Sequence, residues 1–81
     1  MLSNAAGAAI SMRHGFQGPA ETICTACAAA THALGYAARH ISWGMCDAVI
    51  SGGSESAATI TAVAGFENMT ALSTSMVSKP F

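Results

Sequence analysis

Cys27 ends the run Glu21-Thr22-Ile23-Cys24-Thr25-Ala26 and opens a stretch rich in Ala, Leu, Tyr and Arg. Thr22, Ile23, Cys24 and Thr25 suit a short strand, because β-branched side chains lose little freedom on a pleated surface. From Ala28 to Trp43 good helix formers dominate and proline is absent. A thiol in the turn between the two stands at the C-terminal end of the strand, where open α/β sheets hold their ligands. It also stands at a helix N-terminus, where unpaired N–H groups and the helix dipole favour the nucleophilic thiolate. Position alone leaves a second reading open, in which Cys27 is one more small buried thiol.

Strand, nucleophile and helix in this order are similar to the elbow of serine hydrolases, with sulfur in place of oxygen. The other candidates are weaker. Cys24 and Cys27 form a C-x-x-C, but a redox pair needs both sulfurs on one helix-starting turn, and Cys24 falls within the strand. Zinc needs a second ligand pair at similar spacing, and Cys46 and the three histidines stand singly, so no metal is expected. Cys24 and Cys46 are therefore read as buried apolar residues.

His32 lies five residues beyond Cys27, rotated by more than a full helical turn, and is poorly placed as its general base. His32, like His14 and His40, is read as hydrogen-bonded structure. Glu55, after two glycines, reads as a buried, hydrogen-bonded carboxylate. Phe66 and Met69 are core or pocket wall. No G-x-G-x-x-G, P-loop or G-x-S-x-G occurs, so nucleotide binding and serine hydrolysis lack support.

Several elements must position these residues. Asn4 can cap a helix over 5–14, with Arg13 and His14 in its last turn and Gly15 as its stop. Gly18-Pro19 marks a turn. The helix after Cys27 places Thr31, Gly35, Arg39 and Ser42 on one narrow stripe, with His32 and His40 beside it. Its other faces are apolar, so it reads as a central helix buried on most sides. Gly44 ends it, and Asp47-Ala48-Val49-Ile50-Ser51 reads as a second buried strand. Strand, helix and strand at this spacing predict a right-handed βαβ unit with parallel strands. Gly52-Gly53 allows a sharp turn there. The segment 57–72 reads as loop with one or two helical turns.

The bulk composition agrees with a buried piece. Hydrophobic residues make up 52% of the 81 and charged residues 9%, against about 25% charged in an ordinary globular domain. So short a chain has a high surface-to-volume ratio and should need more polar residues, not fewer. Another body must cover it: the rest of a larger domain, or a partner chain. The ending Ser78-Lys79-Pro80-Phe81 has no terminal character, which points to truncation. A net charge of −1 gives no nucleic-acid or acidic-lipid footprint. No apolar run spans a bilayer and no basic n-region opens a secretory signal. Three cysteines, an odd count, fit reduced thiols in the cytoplasm.

Together, Gly18-Pro19, Thr25-Ala26-Cys27-Ala28, His32-Ala33, Ala37-Ala38-Arg39, Gly52-Gly53-Ser54-Glu55, Gly65-Phe66 and Ala71-Leu72-Ser73 resemble the β-ketoacyl-(acyl-carrier-protein) synthases. The likeness is greatest to the elongating synthase II type and its polyketide relatives. It runs from about Asn4 to Phe81 with every block in order, and Lys79-Pro80-Phe81 is similar to a stretch that continues with aspartate in the family. Ala30 stands where many members have glycine.

The resemblance implies the α/β thiolase-like fold, an αβαβα sandwich. Residues 1–81 would form part of its N-terminal half, truncated at both ends. It implies that Cys27 is the nucleophile taking an acyl group from the phosphopantetheine of acyl carrier protein, with the Cys27 N–H as one oxyanion donor. A carbanion from malonyl-carrier protein then attacks that thioester, giving a β-ketoacyl chain of a fatty acid or polyketide. Ala62 and Phe66 are implied in the acyl pocket, no bound cofactor is expected, and the strand ending at Cys27 would pair across a homodimer axis. The two histidines and the lysine that decarboxylate malonyl groups lie in the family's C-terminal half. His32 is neither of those histidines, and residues 1–81 alone should not condense substrates. The alternatives are a coenzyme A-dependent thiolase-like enzyme or chain-length factor, the latter typically lacking the cysteine, and a non-enzymatic alanine-rich interaction module.

Overall fold

The computed structural model describes residues 2–75 and 77–79. Among these residues three helices and one short 3-10 turn make up the regular structure: α1 over Ala5–His14, the turn over Ala26–Ala28, α2 over Ala29–Ser42 and α3 over Ile60–Asn68.

α1 ends as its sequence dictates. Gly15 adopts the left-handed conformation (φ 69°) that costs a residue without a Cβ little, and its N–H returns to the Ser11 carbonyl. Arg13 and His14 occupy the last turn, where the dipole favours cations. Asn4 stands at the N-cap, but its side chain makes no capping bond; its carbonyl accepts the Ala8 N–H instead. α2 stops at Gly44 (φ 71°), and the N–H groups of Met45 and Cys46 both close onto the His40 carbonyl. α3 starts at Thr59, whose Oγ1 accepts the Ala62 N–H at 3.3 Å.

Three expectations about these elements are corrected. The strands at 22–26 and 47–51 do not form, so the βαβ unit is absent among the described residues: no backbone hydrogen bond joins the two segments. A strand exists only with a ladder partner, and parallel ladders persist inside sheets covered on both faces. Here α1 and α2 border these segments, and among the described residues neither segment has a ladder partner. α2 is also not buried on most sides. Ala29, Ala30, Ala33, Ala37 and His40 form its covered stripe and of these only Ala37 is buried, while Leu34 is 55% exposed. Finally, no turn or bend forms at Gly52-Gly53, and neither glycine takes a positive φ. Gly53 serves close approach: a Cβ on it would meet the Ala30 Cβ at 2.9 Å.

The radius of gyration is 16.3 Å, against about 12 Å for a compact domain of this length. The accessible surface is 7113 Å², well above the roughly 4,500 Å² of a compact chain of this size. α2 packs on the 3-10 turn before it; among the described residues no other two helices approach closely. The apolar surface that the composition predicts to be covered lies open.

Candidate functional site around Cys27

The thiol stands at the hand-over to α2. Cys27 is the middle residue of the turn Ala26–Ala28, which runs directly into α2 at Ala29. Its side chain is exposed and unpaired with another sulfur. The residue before it carries the strain: Ala26 has φ 47°, a left-handed conformation that L-residues with a Cβ rarely adopt. That reversal turns the chain abruptly, and the next two N–H groups fold back at once, Ala28 onto Thr25 and Ala29 onto Ala26. The N–H of Cys27 has no hydrogen-bond partner among the described residues. A sulfur and a free N–H on one residue can attack a carbonyl and receive the charge that develops on its oxygen.

Thr25 could cap this turn with its hydroxyl but does not. Its Oγ1 lies 3.2 Å from His32 Nδ1, one turn into α2. The imidazole packs in turn against Tyr36 at 5.2 Å between ring centroids, and Tyr36 meets His40 edge-on at 6.4 Å. His40 Nε2 lies 3.8 Å from Glu21 Oε1. The segment 21–25 thus meets α2 at both ends, Glu21 beside His40 and Thr25 on His32. His32 engages Thr25, in keeping with its structural reading. His40 belongs to the covered stripe, which its place beside the polar one did not foretell. Sequence reasoning missed this pairing of segment 21–25 with the helix; the i, i+4, i+8 spacing of His32, Tyr36 and His40 was its one visible sign.

The remaining candidates are scattered. Ala62 and Phe66 lie on α3, which approaches neither the 3-10 turn nor α2, so the structure does not bring them to Cys27. Phe66 is 41% exposed and forms no enclosed wall. Cys24 is exposed and Cys46 half-buried, a correction to their reading as buried apolar residues. Glu55 is likewise exposed, and its carboxylate accepts only the neighbouring Ser56 N–H. All three lack the cover that would bury them. Pro80 and Phe81, which carry part of the family likeness, lie outside the described residues. No three His, Cys, Asp or Glu side chains among the described residues gather closely enough to hold a metal ion. A groove of about 530 Å³ opens between α1, segment 16–23, α2 and segment 45–51. Ile10, Ile23, Tyr36, Cys46 and Ile50 line it, and Cys27 does not. No helix among the described residues is long and apolar enough to cross a membrane.

Comparison with known proteins adds the context. The family described as beta-ketoacyl synthase, N-terminal domain, matches residues 1–81. A mitochondrial 3-oxoacyl-(acyl-carrier-protein) synthase of Arabidopsis thaliana is 44% identical over 80 residues, 99% of this chain and 17% of its own. A 3-oxoacyl-(acyl-carrier-protein) synthase 2 of Rhizobium meliloti is 41% identical over 73 residues, 90% of this chain and 17% of its own. Its namesake in Vibrio cholerae is 45% identical over 65 residues, 80% and 16%. The chain therefore spans about one sixth of the length of these relatives. No solved structure matches.

Proposed function

The chain belongs to the beta-ketoacyl synthase N-terminal domain family, and from that premise we propose that the whole protein is a 3-oxoacyl-(acyl-carrier-protein) synthase with Cys27 as its acyl acceptor. The observation that carries the proposal is the exposed Cys27, with an unpartnered N–H, at the start of α2 behind the strained Ala26.

In the first half-reaction the Cys27 Sγ attacks the carbonyl carbon of an acyl-phosphopantetheine thioester on acyl carrier protein. A new C–S bond forms and the old one breaks. The departing carrier thiolate takes up a proton equivalent to the one Cys27 released. The Cys27 N–H donates to the oxyanion of the tetrahedral intermediate. In the second half-reaction malonyl-carrier protein loses carbon dioxide, and its carbanion attacks the Cys27 thioester. A C–C bond forms, the Cys27 thiolate leaves, and the β-ketoacyl product is two carbons longer. Splitting the condensation in two is the gain from covalent catalysis. Phosphopantetheine arrives on the carrier, so no resident cofactor is required.

The same reading gives residues 1–81 a place in the N-terminal half of a thiolase-like αβαβα sandwich. There segments 22–26 and 47–51 acquire the strand partners they lack, and the rest of the protein covers Leu34 and Ile41. Ala62 and Phe66 then meet the acyl chain, and a homodimer closes over the strand before Cys27. Three unpaired thiols fit a reducing compartment such as the cytoplasm.

The test is to incubate the whole protein with an acyl-carrier-protein thioester and map the adduct by peptide mass spectrometry. The acyl mass should sit on the Cys27 peptide and vanish in Cys27→Ala. Its appearance on Cys24 or Cys46, or its absence, would overturn the proposal.

A further inference from the structure

We infer that His32 is a positioning residue for acyl transfer: by holding the Thr25 hydroxyl it fixes the turn that presents Cys27. This deepens the proposed role of Cys27 and rests on it. Four observations meet here. The Thr25 Oγ1–His32 Nδ1 contact at 3.2 Å ties the residue before the turn to the helix after it. The bridge therefore encloses Ala26 and Cys27, and Ala26 is held at φ 47° inside it.

A strained residue persists only where its surroundings over-determine it. Thr25 leaves the turn's own N–H groups uncapped to make this bond. Lastly, His32 is itself seated, its ring packed 5.2 Å from Tyr36, so the acceptor or donor it offers has a fixed direction. Without the bridge, Thr25 is free to rotate and the Ala26 reversal can relax. The sulfur and the N–H of Cys27 then lose their common aim. His32 touches neither the sulfur nor the substrate in this account and moves no proton.

The whole protein carrying His32→Leu, Thr25→Val, both changes, or His32→Asn would separate these roles. Asn keeps a polar atom near the position of Nδ1. The first readout is the initial rate of Cys27 acylation by a saturating acyl-carrier-protein thioester. The second is iodoacetamide labelling of Cys27, with Cys24 as internal control. His32→Leu and Thr25→Val should each lower kcat for acylation about three- to tenfold, the worth of one net hydrogen bond, with KM little changed. The double change should be no worse than either single one, and His32→Asn should restore most of the rate.

Full acylation in His32→Leu overturns the inference. So do effects of the two single changes that multiply in the double, or a parallel rise in Cys24 labelling that betrays general loosening. Failure of Cys27 to acylate in the unaltered protein overturns the proposed function instead, and the labelling ratio then still decides whether His32 controls the turn.

Discussion

Gly53 and Ala30 are packed so closely that one Cβ fits between them and two do not: a Cβ placed on Gly53 would stand 2.9 Å from that of Ala30. The neighbour is a methyl fixed to the first turn of α2, which cannot swing aside. The glycine at 53 and the alanine at 30 are thus one complementary pair, and it sets how near the Gly52-Gly53 segment lies to the helix that follows Cys27.

Gly53→Ala should destabilise the whole protein by about 1–3 kcal/mol, the usual range for overpacking. Adding Ala30→Gly should recover part of that, less the cost of about 0.5–1 kcal/mol for glycine in a helix. Urea denaturation of the two variants checks both; an unaltered midpoint in Gly53→Ala would remove the contact from the account.

Ala26→Gly should raise stability by up to about 1 kcal/mol, because glycine adopts φ 47° without steric cost. Ala26→Val should lower it by more, since a β-branched residue fits the left-handed region worst. The opposite order in thermal denaturation would place the strain elsewhere.

Thr59→Ala should cost about 1 kcal/mol and fray the start of α3, because the Thr59 hydroxyl satisfies the Ala62 N–H. Amide hydrogen exchange at Ala62 and Val63 should speed up while α1 and α2 are unaffected. Exchange that rises equally in all three helices would mean that the cap is not a local device.

Iodoacetamide applied to the 81-residue chain should label Cys24 as well as Cys27, since both are exposed. In the whole protein, once segment 22–26 is covered, Cys24 should be protected and Cys27 should not. Equal labelling of the two in the whole protein would contradict the proposed burial of that segment. Cys24→Ser should leave acyl transfer within about twofold, whereas Cys27→Ser should lose it almost entirely, a hydroxyl lacking the thiol's readiness to ionise.

Local chemistry was legible in the residues themselves. Gly15 and Gly44 announced two helix ends because only a residue without a Cβ enters the left-handed region freely, and both helices stop there. Cys27 at the head of α2 followed from composition on either side of it, and the run of family blocks from Gly18-Pro19 to Ala71-Leu72-Ser73 identified the chain. What residue types could not disclose was pairing. The β-branched character of Thr22 and Ile23 is a preference for strand, and it becomes a strand only when another supplies the ladder, which the described residues do not.

Likewise the apolar faces of α2 declared that cover is needed without saying which residues would receive it; the fold chose Ala30, Ala33, Ala37 and His40 and left Leu34 open. The bridge from Thr25 to His32, the bent backbone at Ala26 and the fit of Gly53 on Ala30 belong to the tertiary structure alone. The first and the last are distances between groups seven and twenty-three positions apart, and such distances are set by how segments pack, not by what they are made of.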